Sequence, residues 1–186
     1  TGRRDFTCPA PGETLFDRAT AEGVPVVTIG KVDDLFAGRG ISKAVHTSSD
    51  DEVMDALERT LMSTPQGIIM ANLVDFDTVY GHRNDVLGYA ANLERFDCRL
   101  ARLLPHVQAG DLFIITADHG NDPTTPSTDH SREYVPVLVA GSSVRAGTNL
   151  GTRSSFADVG QTIAEGLGLT PLASGRSFLS EIALES

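Results

Sequence analysis

The sequence predicts an α/β protein built on a largely parallel sheet with helices on both faces. Two observations carry this. Four short runs, at 24–30, 67–74, 111–116 and 135–141, are apolar without a polar alternation, as strands buried on both faces are. Around them lie segments whose apolar residues recur at spacings of three and four, and strands alternating with such helices build a helix-covered sheet.

In chain order, GETLFDRATAEG (12–23) places Leu15, Phe16 and Ala19 on one face and stops at a glycine, the pattern of a short amphipathic helix. VPVVTIG (24–30) is a β-branched run closed by glycine, hence a buried strand. The glycines of FAGRGI (36–41) fit neither a GxGxxG nor a P-loop spacing and are read as a turn. Ser49 with Glu52 three residues on is a capping-box pattern, opening a helix through Val53, Met54, Leu57 and Leu61. Pro65 and Gly67 punctuate it before the strand GIIMANLV (67–74).

From about Asp85 to Val107, the residues Val86, Tyr89, Leu93, Phe96, Leu100, Leu103 and Leu104 form one stripe of a long helix. DLFIIT (111–116) and VPVLVAG (135–141) are the third and fourth strands, and SFADVGQTIAEGLG (155–168) is a closing helix. The connection 117–134 is long and aperiodic, and such loops more often carry function than not.

Composition narrows the function classes. At 186 residues one core is the default. A net charge of −10 disfavours nucleic acid, whose phosphates are bound through clustered Lys and Arg. An acidic chain that takes an anionic small molecule needs local cations or metals against its own field. Cys8 and Cys98 lie far apart without a CxxC spacing and are expected as free thiols in a reducing compartment. With no 18-residue apolar run and no signal-peptide order at the N-terminus, the expected setting is cytoplasmic, with no membrane partner. A start without Met leads to the expectation of a piece of a longer protein.

The chemistry concentrates after two strands. GIIMANLV runs into Asp75, Asp77 and His82; DLFIIT runs into Asp118 and His119, with Asp129 and His130 further along. Ligands collect at the carboxyl ends of strands in open α/β sheets. Carboxylate and imidazole without thiolate suit Zn²⁺, Mn²⁺ or Fe, and the count exceeds one tetrahedral site. Two metals about 3.5–4 Å apart would use it, clamping the attacking and leaving oxygens of a phosphoryl transfer. The bland reading, Asp as cap or turn former and His as surface residue, suits Asp75 and Asp129 better than the other five. His46 and His106 have no acidic or histidine neighbour near a strand end in this reading and are taken as structural.

The segments NLVDFDTVYGHRNDVLGYAANLERFD, TADHGNDPTTPSTDHSREYVPVLV and NLGTRSSFADVGQTIAE resemble the phosphopentomutases of the alkaline phosphatase superfamily, with likeness running from IGKVDDLFAGRGI (29–41) to GRSFL (175–179). The TADHGN segment is also similar to that of the cofactor-independent phosphoglycerate mutases. The spacing of Asp77 to His82 and the run TDHSREYVP favour the former.

The resemblance implies an alkaline-phosphatase-like core and two Mn²⁺ ions. Asp118 and His119 would hold one, and Asp77, His82 and His130 the other. It implies Lys31 as substrate-binding, and a nucleophilic threonine that no residue here matches, expected upstream. Residues 1–10 resemble the end of an inserted cap domain, leaving 11–186 as the C-terminal part of the metal-binding core. The implied activity is interconversion of (deoxy)ribose 1-phosphate and 5-phosphate through a phosphothreonine, with a small sugar phosphate as partner and the isolated segment inactive. The alternatives are another metal-dependent phosphomutase or phosphatase of the superfamily, or a non-catalytic metal-binding chain.

Overall fold

The run VVTI forms the first strand, β1 (Val26–Ile29), with all four residues buried. Consecutive β-branched side chains favour extended backbone and leave no position for solvent, so β1 has to be covered on both faces. It lies in the middle of a three-stranded parallel sheet, between β2 (Lys43–Val45) and β3 (Ile68–Ala71). Parallel pairing needs crossover connections, which α2 (Val32–Leu35) and α3 (Asp50–Ser63) supply. The sequence reading missed β2, because Lys-Ala-Val is three residues long, sits at an edge and is largely exposed.

The computed structural model describes residues 8–184, and its contacts divide them into two units: 8–72 with 157–177, and 73–156 with 178–184. Of the expected cap-domain end at 1–10, residues 1–7 lie outside the described residues. The first unit holds the parallel sheet. Its core joins Phe16 and Ala19 of α1 (Leu15–Ala21), Val26, Val32 and Ile68 to Ala164 of α5 (Ala157–Gly166) and Leu169. The Phe16 and Phe36 rings lie 4.4 Å apart at its rim.

Local signals explain the helix ends. Thr14 caps α1 reciprocally: its hydroxyl accepts the Asp17 N–H at 3.2 Å, and the Asp17 carboxylate accepts the Thr14 N–H at 2.9 Å. Arg39 donates to the same carboxylate at 2.8 Å. Burial pushes the Asp17 carboxyl up, but the hydrogen bonds from Thr14 and the Arg39 charge outweigh it and hold it below its ordinary 3.8. Gly40 closes the turn after α2 at φ +66°, where a Cβ would overlap the Phe16 carbonyl, so the glycine is needed twice over. The capping pattern at Ser49 is half realised. Ser49 accepts the Glu52 N–H at 3.3 Å, whereas the Glu52 carboxylate turns to the Ser48 N–H and hydroxyl, both at 2.8 Å.

The second unit departs from the expected parallel arrangement. β4 (Phe113–Thr116) and β5 (Val137–Ala140) form a separate two-stranded antiparallel sheet, with Phe113 opposite Ala140 and Thr116 opposite Val137. The reason is the connection: no helix forms between Thr116 and Val137 to carry the chain back for parallel pairing.

The long helix appears as α4 (Val86–Leu103), extended by a 3₁₀ turn that Pro105 occupies. Its apolar stripe is less buried than the spacing predicts. Leu103 is buried, while Val86, Leu93 and Leu104 are exposed. A last short helix, α6 (Leu179–Ile182), is held by the Arg153–Glu181 ion pair at 3.0 Å and by the Arg145 N–H donating to the Ile182 carbonyl at 2.7 Å. Cys8 and Cys98 are free thiols, and no helix among the described residues is long and apolar enough to cross a membrane.

Candidate metal centre

The second unit gathers its chemistry from two stretches of chain. The first is a π-helical turn, Phe76–Tyr80, followed by a 3₁₀ turn, Gly81–Arg83. Widened turns of this kind are frequent at functional sites. This one carries Asp77, and His82 follows on the 3₁₀ turn. Asn84, left-handed at φ 50°, reverses the chain into α4, and its side-chain N–H donates to the Thr125 carbonyl at 3.0 Å. Phe76 anchors the turn to α4, with its ring 5.3 Å from that of Tyr89 and 6.3 Å from that of Phe96.

The second stretch is the loop after β4. An isolated bridge between Gly120 and Ser131 folds it back on itself, the Ser131 N–H donating to the Gly120 carbonyl at 3.2 Å. A Cβ at Gly120 would overlap the Ser131 carbonyl, so the two arms close only over a glycine. The Ser131 hydroxyl accepts the Asp122 N–H at 2.8 Å. Asp122 in turn accepts from the Thr124 hydroxyl and N–H, which hold its carboxyl below the usual range. This closure brings His119 and His130 together although eleven positions separate them.

Asp77 is the hub. Its Oδ2 lies 3.3 Å from His82 Nε2, and its Oδ1 lies 3.2 Å from His130 Nε2. Ligand atoms of Asp77, His119 and His130 all fall within 4.8 Å of one another. The imidazoles stack: His119 and His130 have centroids 3.8 Å apart at 21°, and His82 and His130 4.9 Å apart at 25°. Asp118 reaches His119 Nε2 at 3.7 Å, with its carboxylate 71% exposed. Asp129 is exposed and bonded to Ser127, as a turn residue would be.

The donor chemistry fits a divalent cation. His82 Nδ1 lies 2.5 Å from the Thr128 carbonyl, and His119 Nδ1 lies 3.2 Å from the Gly120 carbonyl. A carbonyl only accepts, so each Nδ1 carries the proton, and Nε2 is the ring atom turned to the cluster. His82 Nε2 thereby faces a carboxylate oxygen of Asp77, and His119 Nε2 lies beside one of Asp118. A neutral imidazole presents a lone pair at Nε2, and a divalent cation held there would be shared with the carboxylate. Backbone carbonyls that orient ligating histidines in this way are a usual support of metal sites. The local field agrees: burial pushes the Tyr89 hydroxyl above 10.0, and the carboxylates of Asp77 and Asp122 push it further.

Four of the five sequence-predicted ligands thus form one cluster through Asp77, and Asp118 joins it through His119. Lys31 is exposed in the first unit, at the N-terminus of α2, and its side chain makes no capping hydrogen bond. His46 follows the unrecognised strand β2, and its Nε2 lies 3.6 Å from Asp33. Sequence reasoning also passed over Asn121, whose side-chain N–H donates to Asp77 Oδ1 at 2.5 Å, and Thr128. An asparagine after a glycine reads as turn chemistry, and a backbone carbonyl leaves no mark on a sequence.

Comparison with known proteins agrees with this chemistry. The family model of the metalloenzyme superfamily matches residues 19–171. The chain is 50% identical over 183 residues to the phosphopentomutase of Caldanaerobacter subterraneus subsp. tengcongensis, covering 98% of this chain and 47% of that protein. It is 49% identical over 183 residues to that of Acetivibrio thermocellus, covering 97% and 46%. It therefore spans about half the length of the curated relatives it matches. Among solved structures, a phosphoglycerate mutase of Leishmania mexicana, determined at low cobalt concentration, superposes with a TM-score of 0.68 at 22% identity, over 91% of this chain and 39% of that one. A Pyrococcus horikoshii protein superposes with a TM-score of 0.55 at 23% identity, over 68% of this chain and 35% of that one. At those identities the structural likeness speaks for the fold alone.

Proposed function

The chain belongs to the metalloenzyme superfamily, and from that premise we propose that it supplies metal-binding machinery to a phosphopentomutase. The activity is the interconversion of (deoxy)ribose 1-phosphate and (deoxy)ribose 5-phosphate in the cytoplasm. One observation carries the reading. Two histidines, with Nδ1 tied to backbone carbonyls, turn Nε2 toward the carboxylates of Asp77 and Asp118. The relatives at about half identity, named phosphopentomutases, supply the reaction class.

In this reading Asp77, His82 and His130 hold one Mn²⁺, and Asp118 and His119 contribute to the other. Bound there, the ions would supply the positive charge that a dianionic sugar phosphate requires, and would lower the pKa of a coordinated hydroxyl. The protein's part is to orient the imidazoles and to hold the carboxylates against them. Asp77 faces two histidines at once, so it sets the spacing of the cluster. Lys31 is the substrate-binding cation on the resemblance alone. The phosphoryl-carrying threonine is assigned to sequence outside these 186 residues.

The test is an assay of a full-length protein containing this segment, with Mn²⁺ and each of ribose 1-phosphate, ribose 5-phosphate and 3-phosphoglycerate, followed by ³¹P NMR. Mn²⁺-dependent exchange between the two ribose phosphates is expected. Activity on 3-phosphoglycerate alone would move the chain to the phosphoglycerate mutases. The isolated 186-residue chain is expected to bind Mn²⁺ without turnover.

A further inference from the structure

The geometry points to Asn121 as a positioning residue for the metal centre: its carboxamide, seated in space left by Gly81, sets the orientation of the Asp77 carboxylate. The inference deepens the metal-centre reading and rests on it. Two observations from separate parts of the chain meet here. The Asn121 side-chain N–H donates to Asp77 Oδ1 at 2.5 Å, the same oxygen that lies 3.2 Å from His130 Nε2. The backbone at Gly81, at φ −61° and ψ −59°, is ordinary right-handed helix that any residue adopts, so conformation does not call for glycine there.

Space does. A Cβ at position 81 would lie 2.5 Å from Asn121 Cγ and 2.6 Å from its Oδ1, inside the 3.0 Å that real Cβ contacts respect. Gly81 is itself buried, and Asn121 is half-buried against it.

The consequence is specific. A carboxylate on a short side chain keeps rotational freedom about its last bond, and ordering it on ion binding costs free energy. A donor at Oδ1 removes that freedom beforehand and fixes the plane in which Asp77 faces His82 and His130. Asparagine suits the task because its NH₂ donates to the carboxylate without adding a charge to compete for the ion. Asp77 and Asn121 are 44 positions apart, so the contact also ties the π-helical turn to the loop after β4.

The experiment is a double-mutant cycle on the 186-residue chain, with Mn²⁺ affinity measured calorimetrically and folding checked by circular dichroism and apo melting temperature. Asn121→Ala is expected to weaken Mn²⁺ by about 10–100-fold, the usual loss when a ligand's support is removed. Gly81→Ala is expected to weaken it comparably, since the new methyl displaces the carboxamide. The double variant should be no weaker than Asn121→Ala, because the methyl then fills the vacated room. An Asn121→Ala chain that melts lower but binds Mn²⁺ as wild type does, or a cycle in which the two losses simply add, overturns the proposal. If Gly81→Ala fails to fold, Asn121→Ala decides alone. A wild-type chain that takes up no Mn²⁺ overturns the metal-centre reading itself, and this inference with it.

Discussion

The five residues singled out by the sequence differ in how hard the structure works on them. His130 stacks on two imidazoles and faces Asp77, so removing it takes a ligand away and leaves a carboxylate oxygen held by Asn121 alone. His130→Ala is expected to lower Mn²⁺ affinity by more than the roughly 10–100-fold cost of losing a supporting contact; calorimetric titration measures it, and wild-type affinity would refute the assignment. Asp17 makes a prediction in pH. Its carboxyl is held below the ordinary 3.8, so the folded chain binds its proton less readily than the unfolded chain does. The stabilisation is fully present above 3.8 and is lost as pH falls through the lower folded value. Asp17→Asn should therefore melt below wild type at neutral pH, and the gap should close as the solution is taken well below pH 4, as read from melting curves across that range.

Among the elements, those with strong apolar periodicity were legible and those defined by neighbours were not. α3 and α4 announce themselves by spacing, and β1 and β3 by uninterrupted aliphatic runs. β2 exists because β1 offers it an edge, with Lys43 paired to Val27. The π-helical turn carrying Asp77 has no periodicity to display in five residues. α4 is set against this turn by its cap: the Asp85 carboxylate accepts the Gly88 N–H at 2.9 Å. Asp85→Ala is expected to cost about 1 kcal/mol of stability, the usual value of such a cap, measurable by urea unfolding. It should also raise amide exchange in the first turn of α4.

At the scale of the molecule, the charge of −10 and the five metal-suited side chains belong together. An acidic chain that concentrates carboxylates and imidazoles at one place gains most from a divalent cation there. Mn²⁺ at 100 times its dissociation constant should stabilise the unit that binds it by about 2.7 kcal/mol, by simple mass action. Scanning calorimetry with and without EDTA reads this shift, and it should vanish in His130→Ala. No shift with saturating Mn²⁺ would count against the centre as a whole.

What the sequence determined by itself was the α/β class, the main helices, four strands and the identity of the metal-suited residues. Each of these is written in local pattern: apolar period, cap, glycine stop, or acid and histidine side by side. The tertiary structure alone decided that β4 and β5 pair antiparallel, that Asp77 faces both His82 and His130, that Asn121 hydrogen-bonds Asp77, and that backbone carbonyls meet His82 and His119. Those facts depend on which distant segments meet, and hydrogen bonds across 44 or 46 positions leave no periodic trace in the residues that make them.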